Sequence, residues 1–342
     1  MLPLVSIIIP NWNGKKYLRD CIASLKLQSH NNLEIIVVDN ASADDSVEYL
    51  RNNYPDVKVI EHSQNLGFGA ANNAGIRAAC GEYLMMLNND TRLEPECIEE
   101  LVKSIDKDNK FGACASKILL EYEDNLLDVG GIAVCVDGLS IGRGRLESGD
   151  KFNEEEEVFF ASDCACLYKK EMLEDIKLTN EVYDEDFFAY ADETDMGWRA
   201  QLAGWKCIYN PRAIVHHLHS ASSGHYSSFK AFLVERNRIW VAVKGLPVPF
   251  LIWGAFYTIS RYFYQALGAL TGKGAAGRFT KEADKFELIK ILIKANISAF
   301  LGLPKMLKKR REIMRKKRVS NRELYTLLKR FGISAREIAM KE

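Results

Sequence analysis

Short apolar runs closed by turn residues alternate with helical patterns along the first part of the chain. Leu4–Ile9 is β-branched and apolar and is closed by Pro10, Asn11, Asn13 and Gly14, which predicts a strand buried on both faces. Leu18, Cys21, Ile22 and Leu25 then recur at helical spacing, and Ile35–Val38 predicts a second buried strand ending at Asp39 and Asn40. Ser42 is placed to cap the next helix. Val57–Ile60 reads as a third strand, Phe68–Ala79 as an alanine-rich helix, and Tyr83–Leu87 as a fourth strand that runs into Asn88, Asn89 and Asp90. Strands alternating with helices imply an α/β fold with a doubly wound, mostly parallel sheet, whose ligands bind outside the carboxyl ends of the strands. Asp39 and Asp90 both fall at such ends.

Pro95 begins another helix, with Ile98, Leu101, Val102 and Ile105 on its inner face. Between 111 and 190 periodicity is weak: Gly130, Gly131, Gly138, Gly142 and Gly144 mark turns, and Glu154–Glu157 reads as a solvated acidic loop. Beyond residue 228 the character changes to long helical patterns, which sets a first domain at 1–228 and a helical region at 229–342. Gly245–Ser260 carries no charge, but Arg261 interrupts the run and Pro247, Pro249 and Gly254 break it. A spanning helix needs about 20 apolar residues, so a re-entrant or interfacial segment is the expectation over 246–271. In Phe286–Phe300, Glu287, Lys290, Lys294 and Ser298 form one polar stripe on an apolar helix. Ser320 and Glu323 form a capping box that starts a last short helix.

Composition excludes disorder, collagen and coiled coil, since 47% of the 342 residues are hydrophobic and 27% charged. The formal charge of zero hides a division: residues 1–228 hold 21 basic and 38 acidic side chains, net −17, leaving 25 basic against 8 acidic beyond. Residues 305–318 hold nine Lys or Arg against the single Glu312, which beside apolar helices predicts a footing on anionic headgroups. Nucleic acid is the weaker partner, because no aromatics interleave the basic run and the other part is acidic. The eight cysteines include no CxxC pair and sit in apolar runs, as in a reducing compartment. The N-terminus shows no secretory signal pattern.

The candidate chemistry is carboxylate-rich. Asp90 at a strand end can hold a hard divalent cation, Mg²⁺ or Mn²⁺, which in turn grips a diphosphate; a turn or helix cap is the bland alternative. The segment Asn65–Gly75 looks like a dinucleotide fingerprint, yet Asn72 stands where the third glycine belongs and the unit follows the third strand, which disfavours an oxidoreductase. In Asp192, Glu193, Thr194 and Asp195 three carboxylates crowd together, and like charges so close raise at least one pKa into the range of a general base. Asp195 is also set to pair with Arg199 at i,i+4 spacing, and Asp192 to cap a helix. His216, His217, His219 and His225 cluster without cysteines at metal-ligand spacing, so one of them completing the Asp90 cation site is preferred over a zinc site.

Taken in order, these motifs resemble the inverting family-2 glycosyltransferases of GT-A fold, especially the bacterial rhamnosyltransferase-like members that build cell-surface polysaccharide, over residues 4 to about 245. The resemblance implies a nucleotide-binding set of Pro10, Asn11, Asn13, Asp39, Asn65, Gly67, Asn72 and Asn89, with Asp39 on the pyrimidine base. Asn88–Asp90 matches the DxD-type metal motif with Asp90 as its remaining carboxylate, and His217 matches the metal-side histidine. The catalytic base falls on Glu193, with Asp192 as the alternative because the two are swapped relative to the family order. Trp198 and Arg199 are set toward the acceptor, with core packing the alternative for Trp198 and Trp205. Cys164–Cys166 stands where relatives often carry a Gly-Ala pair. The implied activity is metal-dependent transfer of a sugar, rhamnose by resemblance, from a nucleoside diphosphate sugar to a lipid-linked or polysaccharide hydroxyl, on the cytoplasmic face of the inner membrane. A sugar-nucleotide-binding scaffold subunit and a nucleotidyltransferase are the alternatives.

Overall fold

The computed structural model describes residues 2–218, 227–274, 277 and 285–340. Two compact units emerge, Met1–Ile132 with Gly142–Ser220, and Ala133–Ile141 with Ala221–Glu342.

In the first unit the predicted alternation is present: β1 (Val5–Asn11), α1 (Lys15–Lys26), β2 (Leu33–Asp39), α2 (Ser46–Asn53), β3 (Lys58–Glu61), α3 (Phe68–Ala78) and β4 (Tyr83–Leu87). Strand β1 pairs in parallel with both β2 and β4, and β2 with β3. The chain therefore winds outward from β1 to β3 and then crosses to the other side of β1, so the loop after β1 lies at the switch point of the sheet. Ile7, Ile8 and Ile9 are fully buried, as the continuous apolar run requires of a strand covered on both faces.

The chain continues through β5 (Thr91–Leu93), α4 (Cys97–Ile105), β6 (Phe111–Leu120), β7 (Leu127–Val129), β8 (Ile132–Val134), β9 (Ser140–Gly142), β10 (Glu156–Val158), β11 (Ala165–Lys169), α5 (Lys170–Ile176), α6 (Asp192–Leu202) and β12 (Lys206–His217). The sheet order is β10-β12-β6-β11-β4-β1-β2-β3. A mostly parallel sheet was the expectation, and this half corrects it. Strand β11 runs antiparallel to β4 and β6, and β10, β5 and β7 are also antiparallel additions, so the sheet is mixed. Glu154–Glu157 is likewise not simply a solvated loop: β10 pairs with β12, and Glu155, Glu156 and Glu157 meet Lys107, Arg143 and Lys206.

The second unit is helical, with α7 (Ser228–Gly245), α8 (Val248–Thr271), α9 (Lys285–Lys316), α10 (Asn321–Phe331) and α11 (Ala335–Met340). The capping box at Ser320 and Glu323 is present. A buried group of charges sits among these helices: Arg261 meets Asp137 at 2.9 Å and Glu235 at 3.3 Å, and Arg238 donates Nε–H to Glu235 at 2.9 Å. Two acids and two guanidinium groups balance, which is what makes their burial tolerable. Among the described residues no helix is long and apolar enough to cross a membrane.

Candidate active site

Four loops at the carboxyl edge of the parallel strands interlock through short polar side chains. Asn11 ends β1 directly beside Asp39, the last residue of β2. Asn11 Nδ2 donates to Asp39 Oδ1 at 2.8 Å, and Asn89 Nδ2 donates to Asn11 Oδ1 at 2.7 Å, which ties the β4 loop to the β1 loop. A Cβ on Gly14 would lie 2.0 Å from Asn89 Nδ2, so a side chain there would displace the Asn89 amide from Asn11. Ser42 does not cap α2, whose N-cap is Asp45; its hydroxyl donates to Asp39 Oδ1 at 2.6 Å and accepts the Asn13 N–H at 2.8 Å. Pro10 is half-buried on the same edge. Asp39 is thus held rigidly, and the four expected residues Asn11, Asn13, Asp39 and Asn89 form one network.

The next segment closes over this edge. Asn40 Nδ2 donates to the Gly67 carbonyl at 3.0 Å, and Asn65 Oδ1 accepts the Gly67 N–H at 3.0 Å. Gly67 has φ +91°, and a Cβ there would lie 2.2 Å from the Phe188 carbonyl oxygen, which also accepts the Phe68 N–H at 2.7 Å. Asn72 is fully buried; its Nδ2 caps the Phe68 carbonyl at 3.2 Å, while Oδ1 has no partner.

Asp90 and His217 come together as expected, His217 Nε2 lying 3.3 Å from Asp90 Oδ1. The sequence reading missed the third member, Asp128, whose Oδ2 lies 2.7 Å from His217 Nδ1. An Nδ1–H donated to Asp128 turns Nε2 toward Asp90, the arrangement by which an outer carboxylate sets a histidine for metal ligation once Nε2 gives up its proton. One carboxylate oxygen and one imidazole nitrogen, both nearly buried, suit a borderline-hard divalent ion that takes further oxygen ligands. Among the described residues no three His, Cys, Asp or Glu converge as a complete metal cage. Burial opposes the charge on His217, but Cys164, Asp128 and Asp90 outweigh it, and its pKa is raised. His216 pairs instead with Glu94 at 2.9 Å and Glu121 at 3.5 Å. His219 and His225 lie outside the described residues.

The carboxylate cluster sits at the start of α6, with Asp192, Glu193 and Asp195 all in its first turn, where the helix dipole favours anions. The approach to that turn is strained: Phe188, Tyr190 and Ala191 have φ of 66°, 67° and 67°. Asp192 is 2% exposed and its Oδ1 has no partner, whereas Glu193 is half-buried. A fourth carboxylate, Asp163, was not foreseen. It is buried, its Oδ1 accepts from Tyr168 Oη at 2.7 Å and Tyr183 Oη at 2.9 Å, and its Oδ2 has no partner. Burial, with the neighbouring Asp163 charge, pushes Glu193 up to about 7. Burial raises Asp163 to about 6 despite its tyrosine hydrogen bonds. Asp192 is raised well above the carboxylate range by burial and then by Glu193, Asp163 and Asp195. No sequence motif marks Asp163 or Asp128; the first is a lone acid in a loop and the second sits in the three-residue strand β7.

Trp198 and Arg199 do not face an acceptor. Trp198 is 1% exposed and packs edge-on against Phe159 with ring centroids 5.0 Å apart. Arg199 is 3% exposed and spends its donors on Asp195 Oδ2 at 2.9 Å and on the carbonyls of Ile176 and Val182. Both positions follow from α6 being buried all round, and the pairing with Asp195 is the one the spacing implied. Trp205 donates Nε1–H to Asp175 at 2.7 Å.

One peptide unit joins the two clusters. Asp163 acts on Glu193 and Asp192, while the next residue, Cys164, interacts through its thiol with His217 and accepts the Asn88 N–H on its carbonyl at 2.9 Å. The cation-side and base-side groups thus approach two consecutive residues, Cys164 and Asp163, at the entry of β11.

A model of the family described as Glycosyl transferase family 2 matches residues 6–177, half of the chain. Relatives include an uncharacterized glycosyltransferase of Rickettsia typhi (strain ATCC VR-144 / Wilmington), 41% identical over 109 residues, which are 32% of this chain and 34% of that protein. The chondroitin synthase of Escherichia coli is 34% identical over 134 residues, 38% of this chain and 19% of that one. The chain thus spans about a third or less of the length of these curated relatives. Among solved structures, GalNAc-T7 with UDP, GalNAc and Mn²⁺ superposes with TM-score 0.58 at 18% identity, covering 71% of this chain and 48% of that one. The mannosyltransferase PcManGT from Pyrobaculum calidifontis, in complex with GDP-Man and Mn²⁺, gives TM-score 0.52 at 16% identity over 89% of this chain and 87% of that one. These two likenesses concern the fold, which is GT-A-like. With the family model covering the very strands that carry Asn11, Asp39 and Asp90, the chain belongs to glycosyl transferase family 2.

Proposed function

We propose that the protein transfers a sugar from a nucleoside diphosphate sugar to an acceptor hydroxyl with inversion at the anomeric carbon. The observation that carries this reading is the Asp163–Cys164 junction, where a carboxylate near neutral pKa and an Asp–His pair approach two consecutive residues. Asp39, held by Asn11 and Ser42, receives the base, and the Gly67–Asn72 segment closes on the nucleotide. Asp90 and His217 would hold Mg²⁺ or Mn²⁺, His217 oriented by Asp128. When bound, that ion supplies positive charge against the leaving diphosphate. The presence of Mn²⁺ with UDP or GDP-Man in the two structures of similar fold supports this assignment.

Glu193 is the base rather than Asp192. It is the more exposed of the two, and its pKa of about 7 leaves it ionised above neutrality, whereas burial and the neighbouring carboxylates raise Asp192 well above the carboxylate range. Glu193 takes the acceptor hydroxyl proton as the new bond forms at the anomeric carbon; the bond to phosphate oxygen breaks, and the nucleoside diphosphate leaves with the electron pair. The sugar we propose is rhamnose and the acceptor a lipid-linked or polysaccharide hydroxyl, on the resemblance of the motifs.

The test is turnover with a panel of sugar nucleotides, with and without chelator. Nucleoside diphosphate is the expected product, lost on chelation and restored by Mg²⁺ or Mn²⁺. Glu193→Gln is expected to lower kcat by roughly 10²–10⁴, as for loss of a general base, and Asp192→Asn by much less. Release of pyrophosphate, or equal effects of the two substitutions, would overturn the assignment.

A further inference from the structure

Helices α8 and α9 are turned inside out. A helix at a water-facing surface buries its large apolar residues and exposes polar ones. In α8 the exposed large apolar residues are Val248, Ile252, Trp253, Phe256, Ile259, Phe263, Leu267 and Leu270, which at 100° per residue fall within an arc of about 140°. Phe256 is 69% and Leu270 76% exposed. The opposite, buried side carries Gly254, Arg261 and Gly268. Gly254 lies against the Val136 carbonyl, and Arg261 is engaged with Asp137 and Glu235.

The same inversion recurs in α9. Its buried side presents Ala295 and Ala299, and Gly302 lies against the ring of Trp240, which donates Nε1–H to the Ala299 carbonyl at 3.0 Å. Its outward side carries Ile289, Ile293, Ile297 and Phe300. Phe250, Ile291, Met306 and Ile313 are buried as well, but most of the large apolar side chains of the two helices point outward, as helices pack when their surroundings are themselves apolar. Past Pro304 the outward arc changes chemistry without changing direction: Lys308, Arg311 and Arg315 continue it.

We propose that these outward faces of α8 and α9 dock the protein in the plane of an anionic lipid surface, the apolar side chains entering the acyl boundary and the basic continuation of α9 resting on phosphate headgroups. No described helix spans, and the buried Arg261 midway along α8 keeps that helix tied to its own unit, so insertion is shallow and from one side. Charge decides between lipid and a second copy of the chain. The run 305–318 has nine basic residues against one acidic, so a symmetric partner would bring two such runs together, whereas headgroup phosphates complement them. The docking does not depend on the sugar-transfer reading and is measured without turnover.

Flotation of the full chain with vesicles tests it, using phosphatidylcholine alone and phosphatidylcholine mixed with phosphatidylglycerol, at about 0.15 M salt where only close charges act. The wild type is expected to float with the mixed vesicles. A Phe256→Ser, Phe263→Ser variant is expected to bind at least about tenfold more weakly, and a Lys308→Glu, Arg311→Glu, Arg315→Glu variant to lose its preference for the anionic lipid. All these side chains are exposed, so circular dichroism and the thermal midpoint should match wild type. Failure of the wild type to float, or unchanged binding by both variants, would overturn the proposal. So would a lipid-free dimer that the two serine substitutions dissolve, since the occupant would then be a second copy.

Discussion

Burial and then the charge of Asp163 raise Glu193, while Asp163 is itself raised by burial. With Glu193 at about 7, kcat/KM is expected to rise with pH through neutrality and level off above it, since only the ionised form accepts a proton. Asp163→Asn deletes the neighbouring charge and keeps the side-chain volume. The acid limb is then expected to move toward lower pH by about one unit, as for removal of a close like charge. A pH–rate profile that stays in place would show that Asp163 only supports the fold. The same residue has a stability signature. Its carboxyl titrates at about 6 when folded against 3.8 in the reference state, so between those values the folded chain binds more protons than the unfolded one. Stability should therefore fall as pH rises across that window, and Asp163→Asn should flatten the fall, read from urea midpoints at several pH values.

At the scale of elements, what was legible follows from how far each signal reaches along the chain. Strands β1, β2 and β4 and helices α1 to α3 announce themselves because buried strands are apolar runs, each stopped by local turn residues such as Asn11 and Asn40, while β3 is an edge strand read from Val59 and Ile60 alone. The strands β5, β7, β8, β9 and β10 are three residues each, too short for any period, and the pairing of β5 and β10 is decided by β12, far along the chain. Asp128 and Asp163 were invisible for the same reason. Neither belongs to a motif: the pairing of both β7 and β12 with β6 brings Asp128 to His217, and Asp163 meets the α6 carboxylates from the loop entering β11. The acidic motif of α6 was readable, but the burial of Trp198 and Arg199 on all sides of that helix was not, since sequence spacing gives faces and not what covers them. Two element boundaries make separate predictions. Gly67→Ala forces a Cβ into the Phe188 carbonyl at a backbone conformation that glycine nearly monopolises; a loss of about 1–3 kcal/mol is expected by denaturant titration, with nucleotide affinity reduced as the Phe188 loop is pushed away. Ser320→Ala removes one half of the capping box of α10 and should cost about 0.5–2 kcal/mol without changing turnover.

For the whole molecule the decisive quantity is how charge is divided between the two units. Asp137 belongs to the second, so the first holds 21 basic and 37 acidic residues and the second 25 and 9, net −16 and +16, although the chain sums to zero with a pI near 7.0. Zero net charge removes the mutual repulsion that keeps copies apart, and oppositely charged units attract across copies. Such attraction is long-ranged only when salt is scarce: the Debye length is about 30 Å at 0.01 M and about 8 Å at 0.15 M. At neutral pH the protein is expected to self-associate at the lower ionic strength and disperse at the higher, measured by light scattering or sedimentation. The exposed apolar faces of α8 and α9 make the opposite forecast, because apolar association is not weakened by that change of salt. Association that persists or grows on adding salt would therefore assign it to those faces and remove the charge division as its cause. Dispersal on adding salt, with Lys308→Glu, Arg311→Glu, Arg315→Glu reducing association at low salt, would assign it to the charges.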